Sequence, residues 1–155
     1  MIQIRNPIII FLLIFLYNCG YSPVYNNSKN NDIKLNITSI SGDNSFNNQI
    51  KTYAKLYSNL NSKNEYELTI NSDYEKITIS KNSEGVATSY KIIATANFTV
   101  NMNGKNKDIN FQETIKLDNN QDTFKENTYE KSLQRNFASS IIKKLIIRIL
   151  QDSDN

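Results

Sequence analysis

Between Val86 and Met102 the chain alternates without interruption. Val86, Thr88, Tyr90, Ile92, Ala94, Ala96, Phe98, Val100 and Met102 fall on one side, with Lys91, Thr95, Asn97 and Thr99 on the other. Successive side chains of a strand point to opposite faces, so this period of two predicts a long strand with one face buried and the other wet. Such a strand is not stable alone. It needs antiparallel partners and a second layer over its apolar face.

The partners flank it in sequence. Downstream, "NGKN" at 103–106 is a tight-turn signal, after which Ile109, Phe111, Ile115 and Leu117 repeat the alternation. Upstream, "SKNSEG" at 80–85 reads as a hairpin tip, and Tyr66, Leu68 and Ile70 alternate before it. Ile77 and Ile79 then carry the next apolar positions one step out of phase, which predicts a β-bulge near Asp73–Lys76. A further short strand is expected where Ile33, Leu35 and Ile37 alternate with polar residues.

Two helices supply the covering layer. "SGDNS" at 41–45 is a turn and helix-start cluster, followed by Phe46, Ile50, Tyr53, Ala54, Tyr57 and Leu60 at helical spacing, about four turns. The closing helix is expected to start at Asn127, with Glu130 three residues on as a capping box. Leu133, Phe137, Ile141, Leu145 and Ile149 form one row, and Ala138, Ile142, Ile146 and Leu150 the next, a broad apolar face that needs a sheet to cover it. Lys143, Lys144 and Arg148 lie near its end, where the helix dipole favours cations. Lys143 and Lys144 interrupt the apolar run 141–150, so it is not read as a membrane span. The order β-α-β-β-β-α predicts an α+β two-layer sandwich, two helices packed on one face of a four-stranded mixed sheet. Its first strand is reached through a helical crossover and therefore pairs parallel with a neighbour.

The N-terminus is of another kind. Residues 1–7, "MIQIRNP", carry Arg5, and residues 8–17, "IIIFLLIFLY", are uncharged and apolar or aromatic, too short a run to cross a bilayer core of roughly 30 Å. This is the layout of an export signal. The only cysteine, Cys19, closes the run, with Leu16 at the third position before it as in a lipobox, although Tyr17 and Asn18 are not the small residues usual there. The expected organisation is a lipoprotein signal peptide over 1–18, an acylated tether over 19–32 and a single domain over 33–155, with Cys19 as the lipidation site. The other reading is an uncleaved anchor with an incidental cysteine.

Composition excludes several chemistries. With no histidine and one cysteine, structural zinc sites and histidine-dependent nucleophilic catalysis lack their raw material, and no cofactor or metal is expected. An enzyme would have to rely on carboxylates such as Glu65, Glu67 or Glu113 converging in a cleft, and alternation turns Glu65 and Glu67 outward, so no enzyme is expected. The net charge of +3 is spread along the chain, unlike the clustered charge of a nucleic-acid binder. The abundant asparagine reads as bias toward A+T-rich codons.

The start "CGYSPVY", the segment "ITISKNSEGVATSYKIIATANFTV" and the closing "FKENTYEKSLQRNFASSIIKKLIIRI" together resemble the LptE-like LPS-assembly lipoproteins of alphaproteobacterial type. The resemblance implies an outer-membrane lipoprotein, anchored in the periplasmic leaflet by acyl chains, that plugs the LptD β-barrel, assists its assembly in a 1:1 complex and binds lipopolysaccharide, with no reaction, cofactor or nucleic acid. By motif position it implies lipopolysaccharide binding at Lys81, in "SKNSEG", and Lys125, in "FKEN". The residues alone also allow a lipid-anchored periplasmic binding module with a different protein partner or ligand.

Overall fold

A computed structural model describes residues 33–102, 104–119 and 123–153. The expected signal peptide, the tether and Cys19 lie outside the described residues. The elements are β1 (Lys34–Gly42), α1 (Asn44–Tyr57), β2 (Glu65–Lys81), β3 (Ala87–Met102), β4 (Lys105–Asp118) and α2 (Thr123–Ser153). They form the expected α+β two-layer sandwich. The sheet runs β1-β2-β3-β4, with β1 parallel to β2 and the other pairs antiparallel.

Side-chain parity decides which face is covered. Register places Leu68 opposite Val100, Ile70 opposite Phe98 and Ser72 opposite Ala96, and all six are buried. Across the next ladder Phe98 meets Ile109 and Ile92 meets Ile115. The helices cover this face. From α2, both expected rows are buried as far as Ile149, with Leu150 partly buried against the core. From α1, Phe46, Ile50 and Ala54 join them. Among the described residues no helix is long and apolar enough to cross a membrane.

The junction of β1 and α1 is a tight knot. Gly42 adopts φ +100, and a Cβ there would lie 1.7 Å from the Ser72 carbonyl oxygen, so only glycine fits. That same oxygen accepts from the Asp43 N–H at 3.0 Å, while the Asp43 carboxylate caps α1 by accepting from the Phe46 N–H at 2.7 Å. Beneath it Ser72 Oγ donates to Asn47 Oδ1 at 2.7 Å, which satisfies two buried polar side chains.

Several expectations need correction. There is no bulge at Asp73–Lys76: β2 and β3 pair without a shift from Glu67↔Asn101 to Thr78↔Tyr90, and the irregularities lie at Thr78–Lys81. Inward positions pass from Ile70 to Ser72, Tyr74 and Lys76, so Ile77 and Ile79 emerge on the uncovered face, 42% and 44% exposed. β1 runs on to Gly42 because its register shifts between Ile37 and Ser39, which lets Ile37 and Ile40 both face the core. α2 begins at Thr123, so Asn127 sits inside the helix instead of capping it. Leu60 lies beyond the end of α1 and is 65% exposed; Val86 lies in the hairpin turn before β3 and is also exposed.

Parity makes a sharp prediction for two isoleucines of one strand. Ile70→Ala should cost about 2–5 kcal/mol of stability, and Ile77→Ala under about 1 kcal/mol. Urea denaturation of both variants checks this, and equal losses would restore the phase slip.

Candidate functional site

The end of the molecule that carries the β2–β3 hairpin gathers both candidate lysines. Lys81 is the last residue of β2 and exposed. The turn after it is held by one side chain: Asn82 Oδ1 accepts from the N–H groups of Glu84 at 3.0 Å and Val86 at 2.9 Å, and Gly85 takes φ +81 in open space. Ser80 Oγ is hydrogen-bonded with the hydroxyls of Thr88 and Ser89 across the irregular pairs.

Lys125 reaches the same end from the other layer. β4 stops at Asp118, and Asn119 ties it to the start of β3, its backbone N–H donating to the Thr88 carbonyl at 2.8 Å and its side-chain amide to that of Ala87 at 2.6 Å. α2 starts shortly afterwards and puts exposed Lys125 in its first turn. The first buried apolar residue of α2 is Leu133, so its opening turns overhang the sheet. Beneath the overhang lies an open pocket of about 320 Å³, lined by Tyr90, Leu117, Asp118, Lys125, Glu126 and Tyr129.

Lys76 holds the overhang down. Its ammonium donates to Glu126 Oε1 and, at 3.0 Å, to Glu130 Oε2, and lies 4.5 Å from the centroid of the Tyr90 ring. Burial lowers the pKa of Lys76, but the hydrogen bonds from the two carboxylates outweigh it and hold the group above the ordinary 10.5. Nearby, burial, with Glu130 and Asp43 adding to it, pushes the Tyr74 hydroxyl well above the usual tyrosine range, and its oxygen is buried without a hydrogen-bond partner among the described residues.

Sequence reasoning missed this cluster because the expected slip would have turned Lys76 away from α2. The available signal was Glu126 and Glu130 at i, i+4 spacing, on one face of a helix.

The carboxylates considered for catalysis are dispersed. Glu65 pairs with Lys34 at 2.8 Å, and Glu67 is exposed on the open face of the sheet. Glu113, on the covered face, accepts from Ser140 Oγ at 2.8 Å and Lys144 Nζ at 2.6 Å. Burial raises the Glu113 pKa, but those two donors bring the group below the ordinary carboxylate value. Lys144 therefore serves the sheet contact, while Lys143 lies 5.3 Å from the centroid of the Tyr57 ring. Among the described residues, no three side chains of the metal-ligating types converge.

No protein-family model matches the chain, and none of the curated proteins is significantly similar to it. Solved structures share its fold. Rare lipoprotein B from Shewanella oneidensis is 14% identical with a TM-score of 0.54, covering 77% of this chain and 96% of that one. A protein of Caulobacter crescentus described as a lipoprotein is 10% identical with a TM-score of 0.50, covering 78% and 92%. At these identities the likeness is one of fold.

The Lys76 cluster has a pH signature. A pKa raised in the folded state means that the pairing contributes fully below about pH 10.5 and is lost as pH climbs through the folded value. Lys76→Met should cost about 1 kcal/mol at neutral pH, discounted for partial exposure, and should shallow the alkaline decline. Denaturant unfolding at neutral pH and above pH 10.5 measures both; an unchanged alkaline decline would show that Lys76 is not its source.

Proposed function

We propose that this chain is an outer-membrane lipoprotein of the LPS-assembly type. It is anchored in the periplasmic leaflet through acyl chains on Cys19, plugs an LptD-type β-barrel while assisting its assembly, and binds lipopolysaccharide in transit to the outer leaflet. The observation that carries the reading is a conjunction. A cysteine closes a short apolar run at the N-terminus, and the domain that follows has the fold of rare lipoprotein B.

The molecule's layout supports it. Lys81 and Lys125 come from different layers of the sandwich and arrive at one end, among exposed Ile79, Val86 and Phe124. Lysines bind phosphate as point charges, and apolar side chains beside them suit a ligand with both phosphates and acyl chains. Across part of its uncovered sheet face the sandwich also carries Asn71, Asn97 and Asn110 in one row, compatible with the polar lumen of a barrel. Three acyl chains hold a protein at a membrane where one is marginal. On this reading the protein catalyses nothing.

Co-expression with the LptD-type barrel of the same genome tests the proposal. A stable 1:1 complex is expected. Replacing both Lys81 and Lys125 by alanine should weaken lipopolysaccharide binding about tenfold and leave the complex intact. Recovery of the lipoprotein alone, with the barrel folding normally without it, would sink the reading.

A further inference from the structure

The start of β1 is stitched to the loop that follows α1. The Asn59 N–H donates to the Ile33 carbonyl, the Lys34 N–H to the Asn64 carbonyl and the Leu35 N–H to Ser58 Oγ, each at 2.8 Å. The loop itself is held in a turn, the Ser62 N–H donating to the Asn59 carbonyl at 3.1 Å and the Asn61 N–H to Asn59 Oδ1 at 3.0 Å. Leu60 stands in that turn, 65% exposed, and Leu56, in the last turn of α1, is 60% exposed. Neither leucine packs into the core.

Charge is equally uneven here. From Asn44 to Asn64 the chain has Lys51, Lys55 and Lys63 and no Asp or Glu. All three lysines are exposed, and among the described residues they form no ion pair, unlike Lys34, Lys76, Lys107 and Lys144. The carboxylates that bound the stretch are occupied, Asp43 in capping α1 and Glu65 with Lys34 at 2.8 Å. The helix dipole accounts for Lys55, in the last turn of α1, and for neither of the other two. From α2, Lys143 lies 5.3 Å from the centroid of the Tyr57 ring, and one turn further Ile147 is 55% exposed. Exposed leucines interspersed with lysines that no carboxylate neutralises suit a membrane surface: the apolar side chains enter the headgroup boundary and the ammonium groups meet anionic lipid.

The course of the chain selects a lipid leaflet as the occupant. The 14 residues from Cys19 to Asp32 can span at most about 50 Å and end at Ile33, against this loop. An anchor at Cys19 therefore keeps this end of the domain beside the leaflet at high effective concentration. We infer that the end of α1 and the loop 58–64 form a membrane-interfacial patch, in which Leu56 and Leu60 enter, and Lys51, Lys55 and Lys63 contact, the anionic phospholipid leaflet that holds the anchor. The inference rests on the acylation of Cys19 proposed above and adds how the domain is seated. A tether alone leaves the domain free to turn; the patch fixes the end that faces lipid.

The test uses the full chain made in a Gram-negative cell and reconstituted in vesicles of phosphatidylethanolamine and phosphatidylglycerol. Asn61→Cys carries the environment-sensitive fluorophore NBD next to Leu60, and Glu84→Cys carries it at the hairpin tip. An acylated Cys19 has no free thiol, so each variant takes one fluorophore per chain. The fluorophore at position 61 should shift to the blue and be quenched by spin-labelled lipid, while the one at position 84 stays in water. The ratio of docked to undocked protein should fall about tenfold in vesicles of phosphatidylcholine alone. It should fall as far when Lys51, Lys55 and Lys63 are all replaced by glutamine, or Leu56 and Leu60 by asparagine, with thermal unfolding unchanged because all five are exposed. A single fluorophore at position 61 that stays in water, that is quenched no more than the one at position 84, or that leaves water only when an LptD-type barrel is reconstituted with it overturns the patch and leaves the anchor standing. Two fluorophores per chain, with an intact mass that shows an unmodified Cys19, bring down the anchor and the patch with it.

Discussion

The burial of the two apolar rows of α2 against one parity of β2 and β3 is the constraint on which the rest of the structure depends. Leu68, Ile70, Phe98 and Val100 face the helix layer, and Ile141, Ile142, Leu145 and Ile149 meet them from it. Because a strand has a period of two, fixing that parity fixes every other side chain of the sheet. It sends Lys76 toward Glu126 and Glu130, Glu113 toward Lys144, and the asparagine and threonine rows toward the outside. Ion pairs along α2, from Lys76 near its start to Lys107 with Asp152 at 2.7 Å near its end, reinforce an alignment already set by apolar burial.

The same parity shows what was legible in the sequence. β3 was plain, because its inward positions are apolar or small along most of its length. The two rows of α2 were equally plain, because the helix buries them over many turns. β2 misled because its inward positions become polar after Ile70, and the next isoleucines, Ile77 and Ile79, belong to the other face. Register does shift, but late in β2, at Thr78–Lys81, and in β1, where the step from Ile37 to Ile40 ended the apparent alternation early. The start of α2 was hidden because its opening turns bury no apolar residue and Asn127 imitates a cap. Lys81 and Lys125 were named from motif resemblance. The pocket beside Lys125 depends on β3, β4 and α2 meeting, and no local pattern encodes that meeting.

The fold also gives the molecule a direction. The chain enters at Ile33, whose carbonyl accepts from the Asn59 N–H at 2.8 Å, beside the start of β2. The hairpin tip lies at the far end of β2, which at about 3.3 Å per residue is roughly 50 Å away. On the proposed reading, the tether from the acylated cysteine joins the domain at one end, and the lysines with their exposed apolar neighbours stand at the other. Anchor and ligand end are thus separated by the length of the sheet, and α2 spans the same distance as a stiff brace.

The proposed reading holds the chain at a membrane through Cys19, so the most direct measurement is the intact mass of the protein made in a Gram-negative cell. The account predicts a mature chain that begins at Cys19 and carries the added mass of its acyl groups. A chain that still begins at Met1, with an unmodified Cys19, would contradict it.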